Sequence, residues 1–310
     1  MLNFAMIFPG QGSQFLGMLS DLAKEFSVVE EIFSESSNVL GYDLWDLVQN
    51  GSQKELNKTW KTQPAILSAS VAIFQAWKKK MGKMPKIMAG HSLGEYSALV
   101  CADVIDFKSA IKLVELRGKL MEESIRTKEG AMYAIIGLNN ESILASCEQA
   151  AQGQVVSAVN FNSPGQVVIS GEKTAVKRAA ILCKTAGARR ILPLTINVPS
   201  HCLLMKPAAK KLAQVLETVV FKKPNIAVVN NVDVKIENSV DAIRYALVRQ
   251  LYNPVRWVET IEFMAEQGIV KLLEIGPSKV LTGLTKHIMS NINSVAINDS
   301  VSLNDALINN

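Results

Sequence analysis

The sequence has 310 residues, of which 48% are hydrophobic and 20% are charged, and its mean hydropathy is +0.17. This composition indicates a folded chain with a large core and excludes an intrinsically disordered protein. At about 150 residues per domain, the length predicts one large domain or two unequal ones. Gly, Pro or charged residues interrupt each apolar stretch well short of about 18 residues, and residues 1–9 lack a basic flank and a cleavage site. We therefore expect no membrane span and no export signal.

Cysteine content and charge narrow the class further. The four cysteines show neither a paired metal-binding spacing nor the density of a disulfide scaffold, so a reducing cytoplasm is the expected setting. The formal net charge is +5. The lysines are scattered over many segments without interleaved aromatic residues, which argues against a nucleic-acid groove but is compatible with an acidic partner.

Short β-branched segments alternate along the chain with amphipathic segments of helical length. This alternation is typical of βα units around a mainly parallel sheet, so the predicted fold class is α/β. Residues 61–80 predict a long helix whose middle, residues 64–77, has almost no polar side chain, and we expect that helix to be buried centrally. The strands predicted for the main sheet lie at residues 4–8, 87–89, 226–229, 270–275 and 295–297.

Residues 128–197 follow a different order of elements. Their pattern predicts strand, helix, strand, strand, helix and strand, which is the order of a ferredoxin-like module. We expect this module to be a small subdomain inserted into a larger one made of residues 1–127 and 198–310, with a ligand cleft between the two parts. The six elements are predicted at residues 132–136, 140–151, 155–160, 166–170, 173–186 and 190–196, with an Asn-Ser-Pro-Gly turn at 162–165.

Residues 90–94 read Gly-His-Ser-Leu-Gly and fit the G-x-S-x-G pattern. The pattern alone is weak, since this composition yields a chance match in about one sequence of this length in twelve. Its position between the predicted strand at 87–89 and a predicted helix at 95–102 strengthens it. A sharp strand-to-helix turn exposes the serine Oγ and aims the next backbone N–H at a developing oxyanion. Ser92 is therefore a candidate nucleophile; the alternative is a glycine-rich turn whose serine caps the helix.

A serine nucleophile needs a nearby base, and the chain has three histidines. His91 adjoins the serine, and neighbours around a sharp turn usually point apart. His287 sits in a lysine-flanked helical segment and is expected at the surface. His201 follows a predicted strand, at the rim where loops carry functional groups, and is our candidate base. The alternative is that His201 is a partly buried histidine satisfied by structural hydrogen bonds.

Arg117 is the strongest indication of the substrate. A helix predicted at about residues 109–126 places it among leucine and methionine side chains, near the centre of the apolar face. A guanidinium that faces inward needs an anion. That anion is either an internal Asp or Glu or, in the functional interpretation, a substrate carboxylate held by two hydrogen bonds.

Residues 9–13, Pro-Gly-Gln-Gly-Ser, follow the first predicted strand. The glycines allow the backbone to approach a ligand closely, but the segment lacks the lysine and the spacing of a phosphate-binding loop. The backbone N–H of Gln11 is a candidate second oxyanion donor. A plain strand-to-helix turn is the alternative.

With these motifs in place, the sequence resembles the malonyl-CoA:acyl carrier protein transacylases of bacterial type II fatty acid synthesis. The matching segments run in family order across nearly the whole chain and are jointly very specific. They are F-P-G-Q-G-S-Q at 8–14, G-H-S-L-G-E at 90–95, N-F-N-S-P-G-Q-V-V-I-S-G at 160–171, V-P-S-H at 198–201, R-Q-L-Y-N-P-V at 249–255 and E-I-G-P at 274–277. The resemblance implies an α/β-hydrolase-like core with the inserted ferredoxin-like subdomain.

The resemblance also implies catalytic roles. Ser92 resembles the acylated nucleophile of the family and His201 its general base. The backbone N–H groups of Gln11 and Leu93 correspond to the oxyanion hole. The family orients its histidine through a main-chain carbonyl, here that of Gln250, rather than through an acidic side chain, which fits the lack of an obvious third acidic member.

Substrate contacts are implied in the same way. Arg117 resembles the clamp for the malonyl carboxylate, and Met121 a wall of its pocket. Asn160 and Asn162, on the inserted module, resemble residues that line the cleft. A small residue before the histidine, here Ser200, often accompanies methylmalonyl selectivity in related polyketide acyltransferases, although it is normal in the free-standing bacterial enzymes.

The implied reaction moves a malonyl group from coenzyme A to the phosphopantetheine thiol of an acyl carrier protein, with no metal or redox cofactor. Two other interpretations stay open: a serine hydrolase of the α/β-hydrolase or patatin type, and a catalytically inactive subunit that docks the carrier. We expect a monomer by default. An acidic carrier protein is expected to dock on basic surface near the cleft, formed by Lys206, Lys210, Lys211, Lys222 and Lys223.

Overall fold

A computed structural model describes residues 3–125, 129–195 and 198–309. In chain order its strands are β1 (Phe4–Phe8), β2 (Ile87–Gly90), β3 (Gly130–Ile136), β4 (Val156–Ser163), β5 (Gln166–Glu172), β6 (Arg190–Pro193), β7 (Ala227–Val229), β8 (Lys271–Ile275) and β9 (Asn293–Ile297). Its helices are α1 (Ser20–Glu25), α2 (Val28–Leu40), α3 (Leu44–Asn50), α4 (Gln53–Leu56), α5 (Thr59–Lys79), α6 (Gly94–Cys101), α7 (Phe107–Glu123), α8 (Asn140–Ala151), α9 (Lys173–Thr185), α10 (Lys206–Thr218), α11 (Val240–Gln250), α12 (Trp257–Glu266), α13 (Val280–Ile288) and α14 (Ser300–Ile308). A 3₁₀ turn at Leu203–Met205 precedes α10.

The larger sheet has the strand order β7-β2-β1-β8-β9, and its strand pairs are parallel. All five residues of β1 are buried, because the sheet has a hydrophobic cluster on each face. Phe4, Met6 and Phe8 belong to one cluster, whereas Ala5 and Ile7 belong to the other. Burial on both faces is typical of parallel sheets whose crossovers are helices. The predicted α/β fold with a mainly parallel sheet is confirmed.

The smaller sheet is antiparallel, with the order β4-β5-β3-β6. Helices α8 and α9 contact each other and contribute to one hydrophobic cluster with this sheet. The chain order of strands and helices in this part is that of the predicted ferredoxin-like module. Residues 126–128 and 196–197, at which the predicted subdomain boundaries fall, lie outside the described residues. The division into residues 1–127 with 198–310 and residues 128–197 therefore stays a prediction.

Two predicted details of the module differ from the structure. Strand β4 continues through Asn162 to Ser163, so the predicted four-residue turn shortens to Pro164 and Gly165. Register shifts in the β4–β5 pair allow this extension, because they let Ser163 pair directly with Gln166. Strand β6 ends at Pro193 rather than at residue 196, which is outside the described residues; just beyond it, the N–H of Leu194 still donates to Met132 O at 2.9 Å.

Helix α5 is the centre of the larger part, as predicted. Sixteen of its residues are buried, and it packs against α2, α6 and α7. Helix α7 begins where the side chain of Asp106 accepts a hydrogen bond from the N–H of Ser109 at 3.0 Å, a typical N-terminal cap. Among the described helices, none combines the length and the apolar character that crossing a membrane requires.

The close crossing of α5 and α7 generates a stability prediction. A Cβ on Gly118 of α7 would lie 2.5 Å from Trp60 Cα of α5, so Gly118→Ala must push two backbones apart. Overpacking of this kind costs about 1–3 kcal/mol. We expect Gly118→Ala to lower the free energy of unfolding in urea by that amount. Gly283 of α13 is the matched control, since a Cβ placed there would meet no atom of the described residues within 4 Å. Gly283→Ala should be neutral or stabilising by about 0.5–1 kcal/mol.

Candidate active site

The candidate site forms at the carboxyl ends of three neighbouring strands. β7, β2 and β1 are adjacent in the larger sheet, and the segments that follow them carry Asn231, Ser92 and Gln11. Parallel α/β sheets usually bind ligands at this edge, because the loops there converge above the strand ends. The sheet therefore brings together residues that are up to 220 positions apart in the chain.

Ser92 stands on a strained turn between β2 and α6. Its φ is +52°, in the left-handed region of backbone conformation that residues other than glycine rarely adopt. The turn needs glycine on both sides: a Cβ on Gly90 would lie 1.8 Å from Gly94 C, and one on Gly94 would lie 2.0 Å from Phe8 O. The G-x-S-x-G pattern is thus explained by close packing of strand, turn and helix, which is the context expected of a nucleophile elbow.

His201 is in hydrogen-bonding contact with the serine. Its Nε2 lies 2.8 Å from Ser92 Oγ, and its Nδ1 lies 2.7 Å from the main-chain oxygen of Gln250. A carbonyl oxygen can only accept, so Nδ1 carries the proton and Nε2 accepts from the serine hydroxyl. His201 also has a positive φ, +64°, and its N–H donates to Leu251 O. The geometry is that of a base held by a main-chain carbonyl.

Burial and a neighbouring charge keep His201 neutral. The residue is 3% exposed, and desolvation lowers its pKa to about 3, with the positive charge of Arg117 adding to the effect. The hydrogen bond to Gln250 O opposes this shift, since it stabilises the protonated ring. A neutral imidazole is the form that can take a proton from Ser92.

Arg117 is buried beside Ser92, at 1% exposure. Its Nη1 donates to Gln63 Oε1 at 2.8 Å, and its Nη2 donates to Gln250 Oε1 at 3.0 Å. Nη2 also lies 3.5 Å from Ser92 Oγ. The guanidinium carbon is 5.3 Å from the centre of the Tyr96 ring. The contacts with Gln63, Gln250 and Tyr96 thus hold the guanidinium next to Ser92 Oγ.

The charge of Arg117 has no ion-pair partner among the described residues. Its hydrogen-bond acceptors are neutral oxygens, namely two side-chain amides and the Ser92 hydroxyl, and its Nε has no partner there. Burial lowers the pKa of Arg117 for the same reason that any charge is costly away from water. The sequence left open an internal Asp or Glu as the partner of Arg117, and the described carboxylates do not supply one within salt-bridge distance.

A cavity of about 40 Å³ lies over Ser92. Seven of the nine residues predicted for the site line it: Gln11, Ser92, Leu93, Arg117, Met121, Asn160 and His201. Met132 and Ser200 complete its wall together with His91. In the described part of the chain, the N–H groups of Gln11 and Leu93 donate no hydrogen bond, which is the condition required of oxyanion donors.

The remaining two predicted residues lie just outside this lining. The side-chain oxygen of Gln250 accepts a hydrogen bond from the Arg117 guanidinium, and its main-chain oxygen accepts one from His201 Nδ1. Asn162 meets His91, whose Nε2 is 2.8 Å from Asn162 Oδ1 and whose ring packs 5.4 Å from that of Trp257. His91 thus hydrogen-bonds Asn162 and not Ser92, although it also borders the cavity. His287 is exposed on α13, as expected.

Comparison with known proteins establishes the family. A model of the acyl transferase domain matches residues 5–302. The chain is 62% identical to the malonyl CoA-acyl carrier protein transacylase of Haemophilus influenzae, with 98% of each chain covered. It is 60% identical to that of Escherichia coli K12, with 99% of each covered. The chain belongs to this transacylase family.

Solved structures agree with the assignment to the transacylases. The fold matches a malonyl-transacylase solved in complex with a holo type II PKS acyl-carrier protein, with a TM-score of 0.98, 68% identity and coverage of 99% of this chain and 100% of that one. It also matches an acyl carrier protein S-malonyltransferase from Vibrio cholerae, with a TM-score of 0.95, 60% identity and coverage of 98% and 99%. At these identities the likeness extends beyond the fold to the family.

Three polar residues in contact with the site were not predicted from the sequence. Gln63 lies on the apolar helix α5, where a lone amide gives little signal. Asn231 follows the predicted strand at 226–229. Its position at the carboxyl end of that strand could therefore have identified it as a candidate site residue. Glu95 lies three residues after Ser92 and is 2% exposed, and burial raises its pKa to about 7. A carboxylate at the start of an otherwise apolar helix was the signal for this residue.

The lowered pKa of His201 generates a stability prediction. An unfolded histidine takes up a proton near pH 6.5, whereas folded His201 stays neutral to about pH 3, so acid favours the unfolded state between these values. From pH 8 to pH 5 this single group should lower the free energy of unfolding by about 2 kcal/mol. We expect His201→Asn to lose that part of the pH dependence in urea unfolding. The other titrating groups are present in both the wild type and His201→Asn and serve as the internal control. Identical pH dependence of the two proteins would contradict the lowered pKa of His201.

Proposed function

We propose that this transacylase carries a malonyl group from malonyl-CoA to the phosphopantetheine thiol of an acyl carrier protein, through an ester on Ser92, and so supplies fatty acid synthesis. The observation that carries the proposal is the uncompensated guanidinium of Arg117, 3.5 Å from a serine Oγ that is hydrogen-bonded to a neutral histidine. The names of the relatives, malonyl CoA-acyl carrier protein transacylases, support the same substrates.

In the first half of the reaction, Ser92 is acylated. Its hydroxyl proton moves to His201 Nε2 while Oγ attacks the thioester carbonyl of malonyl-CoA. The N–H groups of Gln11 and Leu93 donate to the resulting oxyanion. When the tetrahedral intermediate collapses, the C–S bond breaks and His201 returns the proton to the departing coenzyme A sulfur. The products are free coenzyme A and a malonyl ester of Ser92.

The second half reverses these roles with a new thiol. His201 Nε2 takes the proton of the phosphopantetheine thiol as its sulfur attacks the ester carbonyl. The same two N–H groups stabilise the second oxyanion, for which losing one donor typically costs roughly 10²- to 10³-fold in rate. The C–O bond then breaks, and the proton returns to Ser92 Oγ. The enzyme ends in its starting state, and the malonyl group is on the carrier.

Arg117 gives the reaction its preference for an acid. A malonyl group differs from an acetyl group by a free carboxylate two bonds from the reacting carbonyl. A guanidinium can hold a carboxylate through two parallel N–H···O bonds, which fixes both its charge and its plane. The small cavity beside Ser92 Oγ therefore favours an acyl group with a terminal anion over a neutral one.

The carrier is proposed to dock on basic surface near the cleft. A malonyl-transacylase similar to this chain is described as a complex with an acyl-carrier protein, which supports a carrier as the partner. The predicted docking lysines are exposed, namely Lys206, Lys210, Lys211, Lys222 and Lys223. Lys211 pairs with Glu123 at 2.9 Å, so its charge is partly compensated. Lys206 and Lys210 lie on α10 together with Lys211 but do not share its pairing with Glu123. They are therefore stronger candidates than Lys211 for contact with an acidic partner.

The ester intermediate gives the most direct test. After a brief exposure to malonyl-CoA, the intact mass of the protein should increase by one malonyl group, and Ser92→Ala should abolish that increase while keeping its thermal melting transition. An adduct that persists on Ser92→Ala would contradict the assignment of the nucleophile. Discharge of the wild-type adduct by a carrier thiol supports transfer. Discharge by water alone would support a serine hydrolase, and the lack of any adduct would favour an inactive docking subunit.

Arg117 generates the selectivity prediction. Truncating one partner of a buried charge contact costs about 2–5 kcal/mol, so Arg117→Ala should shift the ratio of malonyl to acetyl acylation rates by well over tenfold. Acylation rates with malonyl-CoA and acetyl-CoA measure this ratio. Arg178→Ala is the matched control, since Arg178 donates to main-chain oxygens of the smaller sheet's helix α8 and not to the cavity. Equal losses with both substrates would indicate a structural role for Arg117.

A further inference from the structure

The carboxylate of Glu95 joins two polar groups that reach the reacting atoms. It lies on the first turn of α6 and is buried. Its Oε2 accepts a hydrogen bond from the main-chain N–H of Asn231 at 3.0 Å and another from Gln250 Nε2 at 2.9 Å. Glu95 itself does not line the cavity over Ser92. Its effect on the reaction must therefore pass through these two partners.

The first partner, Asn231, holds the backbone of the elbow. Its Oδ1 accepts from the N–H of Ser92 at 2.7 Å, and its Nδ2 donates to the main-chain oxygen of Gly90 at 2.7 Å. One side-chain amide thus spans the strained turn, whose central φ is +52°. Strained backbone persists only where surrounding contacts fix it. Glu95 anchors the main chain from which this amide extends.

The second partner, Gln250, links the elbow to the guanidinium. Its Nε2 also donates to the main-chain oxygen of Ser92 at 3.0 Å, and its Oε1 accepts from Arg117 Nη2 at 3.0 Å. The contact with Arg117 needs the amide oxygen of Gln250, and the contact with Ser92 O needs the amide nitrogen. Only one of the two orientations of the amide group therefore serves both contacts. An acceptor at Glu95 Oε2 selects that orientation, because it can bond the nitrogen but not the oxygen.

We propose that Glu95 is a positioning residue for the transfer reaction, which places the Ser92 elbow and the Arg117 guanidinium relative to each other through Asn231 and Gln250. The inference rests on the proposed function. It adds a residue that touches neither substrate nor reacting atom. The reach of the Glu95 side chain, rather than its charge, is the property that matters, because the contacts are hydrogen bonds accepted at one oxygen.

The ionisation of Glu95 is consistent with a role that depends on the length of its side chain and not on its charge. Burial raises the pKa of Glu95 to about 7, while its hydrogen bonds and the charge of Arg117 act in the opposite direction. Near neutral pH both the ionised and the neutral acid are therefore populated. Oε2 accepts hydrogen bonds in either form, since protonation of a carboxyl group leaves acceptor capacity on the other oxygen.

The test compares two substitutions that separate reach from charge. Glu95→Gln keeps the length and an acceptor oxygen but removes the charge, whereas Glu95→Asp keeps the charge and shortens the side chain. Rapid-quench intact mass with malonyl-CoA measures the rate constant and the amplitude of Ser92 acylation. We expect Glu95→Asp to lower the rate constant roughly tenfold to a hundredfold, as a misplaced reactive group does, and Glu95→Gln to retain most of the wild-type rate.

Glu274→Asp is the matched control. Glu274 is also fully buried and accepts two main-chain N–H groups, those of Leu281 at 3.0 Å and Thr282 at 2.7 Å, but it does not line the cavity. A purely structural loss reduces the amplitude, which counts folded molecules, and leaves the rate constant of those molecules unchanged. Glu274→Asp should behave in this way. Glu95→Asp should change the rate constant itself.

A wild-type rate constant for Glu95→Asp, or equal losses for both Glu95 variants, would overturn the proposal. If Glu95→Asp does not fold, Asn231→Ala removes one of the two links, and a wild-type rate in that variant would overturn it equally. A fluorophosphonate probe, which labels an activated serine without a thioester, gives a second readout on the same variants. If wild-type protein forms no malonyl adduct but is labelled by the probe, the proposed function fails, and the labelling rates still test Glu95.

Discussion

The buried charge of Arg117 is the constraint around which the rest of the site is arranged. Taking a guanidinium out of water costs several kcal/mol unless hydrogen bonds or an opposite charge compensate it. The described chain compensates it with neutral partners: the amide oxygens of Gln63 and Gln250, the Ser92 hydroxyl and the face of the Tyr96 ring. Amide oxygens satisfy N–H groups without cancelling the charge. The fold therefore holds an oriented positive charge beside Ser92 Oγ, which is the feature on which the proposed recognition of a carboxylate rests.

The same burial acts in opposite directions on the other two ionisable groups of the site. It lowers the pKa of His201 and raises that of Glu95, because each shift favours the uncharged form. Arg117 adds to the first shift and opposes the second. His201 is oriented by a main-chain carbonyl, which brings no negative charge of its own. Arg117 is consequently the cation of the site, and it has no salt-bridge partner among the described residues.

Much of this arrangement could be predicted from sequence, for definite physical reasons. The β-branched segments indicated the parallel strands, and the glycines at 90 and 94 marked the elbow because close packing excludes any side chain there. Arg117 was identified because helical periodicity fixes the face on which a residue lies. Comparison of the three histidines favoured His201, because it follows a strand end, and the resemblance then added Gln250, which no local pattern marked. The predicted end of β4 was wrong, because register shifts against the partner strand β5 allow β4 to continue to Ser163.

What local sequence could not supply is the support of the elbow by distant parts of the chain. The N–H of Ser92 is held by a side chain 139 positions away, and its main-chain oxygen by one 158 positions away. Both contacts exist only after β7 has paired with β2 and α11 has packed against the larger part. The five-residue motif therefore specifies a turn that is possible, and the assembled sheet edge makes it stable. A serine in the same local pattern without those two amides would lack the contacts that hold it at +52°.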